Sequence, residues 1–171
     1  MNQKPTKEQL VALLDQYIFG WAYKDIERAS VKGEAKLAGF ILGACFIDTL
    51  AGFYFGINRS MSKNNSGKRF TTFVKKYLKR YNAEKLWEDL RCGLVHSYAE
   101  GGTYVFTDAN KAGYHFNKIK DGRILLNLED FCADLREAYR LYRNDILIND
   151  KIYAKALRRL DMGIMALSKI D

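Results

Sequence analysis

Cysteine is scarce in this 171-residue chain and poorly placed for bridging: Cys45, Cys92 and Cys132 are odd in number and contain no CxxC pair. That excludes a disulfide framework and a thiolate zinc site. Histidine is scarcer still. His96 and His115 are the two present, so a histidine-rich metal centre is excluded and neither metal nor cofactor is expected. Proline occurs once, at Pro5, and 48% of the residues are hydrophobic, which argues against a disordered or linker-rich protein. The segment Met1–Asn2–Gln3–Lys4–Pro5 holds no apolar run of the kind a secretory signal needs, so the expected location is cytoplasmic. Acid is missing from one long stretch: Lys63 to Arg80 carries seven basic residues and no Asp or Glu.

What is present is a basic chain of net charge +8, a balance that favours an anionic partner. Its length suits one domain, spanning residues 1–171. Leu37 to Ile57 is almost wholly apolar, with Gly39, Gly43, Gly52 and Gly56 at small-xxx-small spacing, as a membrane helix would have. Asp48 at its middle argues otherwise, since an acid there costs about 2.5–3.5 kcal/mol on insertion scales. We read this run as the buried centre of a helical bundle, without a membrane.

The rest of the pattern fits a mainly α bundle of five to six helices. Thr6–Lys7–Glu8–Gln9 reads as a capping box, followed by Leu10, Leu13, Leu14, Tyr17, Ile18 and Trp21 at helical spacing, to an end near Ala29–Ser30. The central helix follows, from about Gly33 to Phe55. Asn58 to Gly67 reads as a polar, mobile loop. A third helix is predicted from Lys68 to Tyr81 with Phe70, Phe73, Val74, Tyr77, Leu78 and Tyr81 on its core side. This places Lys68, Arg69, Lys75, Lys76, Lys79 and Arg80 on a solvent face suited to an RNA backbone. Asn82 is expected to cap a fourth helix that ends before Gly101–Gly102. Between about 103 and 126 the period changes to strand-like runs, and Asp121–Gly122 predicts a small antiparallel hairpin or meander. His115 lies on one of those runs and is assigned no role. Helix resumes after Asn127, and a last helix is expected from about Asp150 to Leu167.

The chemistry sits in the fourth helix, in Leu90–Arg91–Cys92–Gly93–Leu94–Val95–His96–Ser97–Tyr98. Arginine stays cationic while imidazole gives or takes a proton near neutrality, so the two side chains together suit a phosphodiester. On an α-helix, positions i and i+5 lie about 140° apart at about 100° per residue, so the pair meets only if the helix is distorted near Gly93, if Arg91 curls back, or if a twofold dimer supplies one residue from each chain. Asp48, an acid in an apolar helix, needs a partner and is expected to support Arg91 or His96.

Arg91–Cys92–Gly93–Leu94–Val95–His96 resembles the Arg-x4-6-His signature of the HEPN superfamily (higher eukaryotes and prokaryotes nucleotide-binding domains), as do the flanking Leu90 and the tail through Tyr98. The bundle layout resembles that family across most of the chain. The resemblance implies a homodimer that binds RNA or nucleotides. It further implies a metal-independent endoribonuclease of a toxin–antitoxin or defence system, with a cognate antitoxin or nucleotidyltransferase as partner. Arg91 would then orient the scissile phosphate and His96 would transfer the proton. The residue after the arginine is often polar in active members and is Cys92 here. That departure points to the alternative, a non-catalytic HEPN-like binding module in which Arg91 and His96 are structural.

Overall fold

A computed structural model of the chain describes residues 4–32, 35–57, 65–98, 102–108 and 113–160. The expected mobile loop lies mostly outside them, as does the end of the last helix.

Thr6 opens the bundle as its sequence predicts: its hydroxyl accepts from the Gln9 N–H while the Gln9 side chain accepts from the Thr6 N–H. Helix α1 (Lys7–Leu14) runs into a π-helical segment (Asp15–Tyr23), then α2 (Lys24–Glu27) and a second π segment (Arg28–Lys32). The wider turns shift the helical phase. Leu10, Leu14 and Ile18 stay in the core, but the inward positions that follow are Tyr23 and Ile26, leaving Trp21 half-buried.

Helix α3 (Lys36–Phe55) is the axis of the molecule, packed by α4 (Ser66–Tyr77), α7 (Leu128–Ile148) and α8 (Asp150–Leu160). Its glycines are contact points: a Cβ on Gly43 would stand 2.5 Å from a ring carbon of the fully buried Phe131. Gly56 ends it in the left-handed region at φ +68°, where a Cβ would meet the Lys155 carbonyl at 2.6 Å. Arg158 of α8 closes that end by donating from Nε to the Gly56 carbonyl (2.7 Å) and from Nη2 to that of Phe55 (3.0 Å). Among the described residues, α3 is the one helix long and apolar enough to cross a membrane. It is surrounded by the other helices on most sides but not all, since Leu37, Leu42 and Cys45 remain exposed.

The third helix is shorter than its pattern suggests. It stops at Tyr77, and Leu78–Tyr81 form a turn whose Leu78 and Tyr81 side chains are buried, with the Tyr81 N–H donating to the Leu78 carbonyl (3.0 Å). Asn82 caps the next helix through the Lys85 N–H, as expected. That helix comprises α5 (Ala83–Leu86), a third π segment (Trp87–Leu94) and α6 (Val95–Ser97), ended by Tyr98 at φ +50°.

The β element is not the antiparallel hairpin that Asp121–Gly122 predicts. Strands β1 (Tyr104–Thr107) and β2 (Ile124–Asn127) pair in parallel, Tyr104 opposite Ile124 and Thr107 opposite Asn127. The chain does turn at Gly122 (φ +87°), with the Ile119 N–H donating to the Arg123 carbonyl at 2.9 Å. Only one antiparallel bridge, Lys118 with Ile124, forms there among the described residues. Burial decides the pairing. β1 carries Tyr104, fully buried, and Phe106, whose ring lies 4.9 Å from that of Phe40, whereas Asn117 and Lys118 stay exposed. β2 leads directly into α7, capped by Asn127, whose Oδ1 accepts from the Glu129 and Asp130 N–H groups.

Candidate active site

The π segment Trp87–Leu94 resolves the geometric difficulty of the Arg-x4-His spacing. Hydrogen bonds from i to i+5 stack residues five apart on one face, and such segments are frequent at functional sites. Arg91 Nη1 accordingly stands 3.1 Å from His96 Nε2 within a single chain. Guanidinium nitrogens only donate, so Nε2 is the acceptor in this contact. His96 is exposed and Arg91 half-buried.

Asp48 holds the arginine from across the bundle. Its Oδ2 accepts from Arg91 Nε (3.4 Å) and Nη2 (3.3 Å). Oδ1 is buried, and none of the described residues donates to it. The acid expected to need a partner therefore has one, and its partner is the motif arginine. On its other side the guanidinium lies 6.0 Å from the ring centre of Trp87, one helical turn back. Cys92 is half-buried, and burial pushes its thiol above the usual range against the pull of Arg91. Burial does the same to Cys45.

Two hollows flank the outward face of α3 beside this pair. One, a cleft of about 650 Å³, lies between that face and the N-terminal helices, with Trp21, Arg28, Leu42 and Cys45 in its walls. The other, about 200 Å³, is bounded by Asp48, Thr49, Gly52, Arg69 and Arg159. No group of three or more His, Cys, Asp or Glu side chains among the described residues is arranged to hold a metal.

The basic face does not form as one stripe. Arg69 is buried. Lys75 pairs with Glu84, and Lys76 with Asp145 (2.6 Å) while lying over the rings of Tyr54 and Tyr77. Lys79 and Arg80 lie past the helix end, the latter 4.5 Å above the Phe116 ring. Lys68, Lys75, Lys79 and Arg80 are the exposed members of the set. The pairing acids come from α5, just past the basic stretch, and from α7, far from it in sequence.

Sequence reasoning also missed two polar centres. His115, given no role, is bonded on both ring nitrogens: Nδ1 accepts from the Asn127 N–H (3.1 Å) and Nε2 meets the Tyr81 hydroxyl (3.0 Å). That hydroxyl donates to Asp134 Oδ2 at 2.8 Å. Burial raises Tyr81 well above its usual range. Asp89, buried next to the motif, accepts on Oδ2 from the backbone N–H of Thr103 (2.8 Å) and Tyr104 (2.7 Å), tying the π segment to β1. A strand-like run around His115 gives no hint of the first. The second is hidden because the partners of Asp89 lie 14 and 15 residues away.

No family model, curated protein or solved structure matches the chain. The site's geometry and the motif must carry the functional reading.

Proposed function

We propose that the protein is a cytoplasmic, homodimeric, HEPN-like RNA-binding protein that cleaves RNA without a metal, with Arg91 and His96 as its catalytic residues. The observation that carries this reading is the 3.1 Å approach of Arg91 Nη1 to the exposed His96, made possible by the π turn between them. A phosphodiester entering at His96 takes Nη1 as its own donor, which releases the Nε2 lone pair. The freed nitrogen accepts the proton of the ribose 2′-hydroxyl as that oxygen attacks the adjacent phosphorus. Arg91, kept in place by Asp48 through Nε and Nη2, stabilises the charge that develops on the phosphoryl oxygens. As the P–O5′ bond breaks the 5′-oxygen leaves and takes up a proton from solvent, His96 returns its own proton to solvent, and the product carries a 2′,3′-cyclic phosphate. The net charge of +8 and the exposed Lys68, Lys75, Lys79 and Arg80 support a polyanionic substrate. A cognate antitoxin or nucleotidyltransferase, as in toxin–antitoxin or defence systems, is the partner this reading calls for.

One observation favours a second reading, a non-catalytic HEPN-like module. Asp48 and His96 between them already occupy three nitrogens of Arg91, an arrangement that would also serve as a purely structural latch. Purified wild type, Arg91→Ala and His96→Ala, assayed side by side on RNA in EDTA, separate the two. Cleavage by wild type alone, leaving cyclic phosphate ends, is expected, with each variant at least about 100-fold slower. Equal cleavage by wild type and His96→Ala would mark a contaminating ribonuclease and remove the catalytic assignment. No cleavage by any, with salt-sensitive RNA binding retained, would establish the second reading. Sedimentation of the same samples tests the dimer.

A further inference from the structure

Trp21 lies on the core face of the first helix by spacing and in the wall of a cleft by structure. The π segment Asp15–Tyr23 widens the turn, so that Tyr23 takes the buried position and Trp21 is left half-buried beside the cleft of about 650 Å³. The Tyr17 ring stands T-shaped against it at 5.2 Å, a contact that occupies at most one of the two indole faces. Asp25 and Arg28 follow Trp21 at helical spacing and line the same wall as an exposed pair, Arg28 Nη1 donating to Asp25 Oδ1 at 3.1 Å. Asp25 Oδ2 and Arg28 Nε and Nη2 make no hydrogen bond among the described residues. Carboxylate acceptors therefore stand beside guanidinium donors, all open to a ligand. On the α3 side the cleft adjoins the motif. Cys45 and Thr49 border both it and the hollow that Asp48 lines, and Asp48 holds Arg91. Burial raises the Cys45 thiol, and the Arg91 charge is near enough to pull against it.

We infer that this cleft is a guanine-binding subsite, in which Trp21 stacks on the base and the Asp25–Arg28 pair reads its Watson–Crick edge. The inference rests on the reading of Arg91 and His96 as a phosphodiester site, which makes the base that of an RNA nucleotide beside the cut. Single-stranded RNA is recognised in this manner, by bases splayed onto aromatic rings and hydrogen-bonded along their edges. Guanine presents an amino N–H and a ring N–H beside its keto oxygen, which matches two carboxylate oxygens beside a guanidinium. The other bases fit this pair poorly. Adenine and cytosine set a ring-nitrogen acceptor against the carboxylate, and uracil flanks its single donor with two acceptors. The volume is sufficient, since pockets for whole small molecules run to about 300–1,000 Å³. A strand lying across α3 would be held by one base at Trp21 and cut at His96.

The test titrates the full chain with 5′-GMP, AMP, CMP and UMP by calorimetry. Saturable binding of GMP at least about 10-fold tighter than of the other three is expected, as hydrogen bonds to a charged group give. Asp25→Asn, at an exposed position, replaces a carboxylate oxygen with a donor and should narrow that preference to within about 3-fold. Trp21→Ala should weaken all four by about 10-fold, because stacking serves every base. If Trp21→Ala fails to fold, Asp25→Asn decides alone. An oligoribonucleotide with a single guanine should compete with GMP, and wild type should cut it at a fixed distance from that guanine, a register lost in Asp25→Asn. A GMP preference without competition by the oligonucleotide would support the subsite and assign it to a free guanine nucleotide. No saturable binding, equal binding of the four nucleotides, or an unchanged preference in Asp25→Asn overturns the inference. So does loss of the preference as the chain associates at higher concentration, which would give the cleft to a second copy. The GMP readout requires no cleavage, so an inactive chain with the preference intact would remove the nuclease and keep the cleft. Cleavage without any GMP preference would do the reverse.

Discussion

His115 shows how much a single side chain can organise away from the motif. Its Nδ1 accepts from the Asn127 N–H, so the ring proton sits on Nε2 and points into the Tyr81–Asp134 contact. Burial works against the Asp134 carboxylate, but hydrogen bonds from His115 and Tyr81 hold it below the usual aspartate range. A carboxylate whose folded value is lowered contributes stability that is full above the unfolded value of about 3.9 and is lost as pH falls through the folded value. Asp134→Asn should therefore lower stability at pH 7 while making the loss below about pH 4 shallower than in wild type. Urea denaturation midpoints at pH 7 and pH 3 check this, and an equal drop for the variant at both would refute it. The network was not legible in the sequence because its members lie 34 and 53 residues from Tyr81 and share no local pattern.

At the scale of elements, caps and core faces were legible, while phase and pairing were not. Thr6, Asn82 and Asn127 start helices where their side chains suggest, because capping is decided within four residues. Phe70, Phe73, Val74 and Tyr77 point inward as their spacing predicts. The position of the π segments was not visible: a period read at 3.6 residues does not announce where it widens, so the spacing puts Trp21 on the core face and offers a distortion near Gly93 as only one of three ways for Arg91 and His96 to meet. The parallel pairing of β1 with β2 escaped for another reason, since a turn dipeptide reports only its own neighbours. Asp89 is the joint between the motif segment and this sheet. Asp89→Ala should cost about 2 kcal/mol, by leaving the buried Tyr104 N–H and the half-buried Thr103 N–H without their acceptor, whereas Asp89→Asn, which keeps a carbonyl oxygen, should cost less. Denaturant titration of both variants checks the order; equal losses would show that the amide contacts are not what Asp89 contributes.

For the whole molecule, the apolar run from Leu37 to Ile57 defined the architecture before any contact was known: one central helix with amphipathic neighbours around it. Its glycines are where those neighbours come closest. Gly43→Ala should destabilise the protein by about 1–3 kcal/mol, because the added methyl would stand within contact distance of the buried Phe131 and Leu135. A thermal shift of no more than a degree would mean that α7 moves aside freely. The site was legible as a list, Asp48, Arg91 and His96, and their contacts follow the expectation that Asp48 supports the arginine. The basic face reads too simply from its own stretch, because Glu84 of the next helix and Asp145 of the distant α7 pair with two of its lysines.

The π turn under the motif can also be seen as a matter of insertion and deletion. A helix that closes i to i+5 accommodates one residue more than an α-helical stretch making the same contact from i to i+4. Arg91 and His96 thus keep the adjacency of an α-helical pair while the chain gains a residue between them. That extra residue rotates everything after it by about 100°, and beyond it Leu94 is in the core with Leu90 while His96 faces solvent. Removing Cys92 would leave an arginine and a histidine still able to meet, on a helix whose following residues, and whose exit towards β1, would face the wrong way.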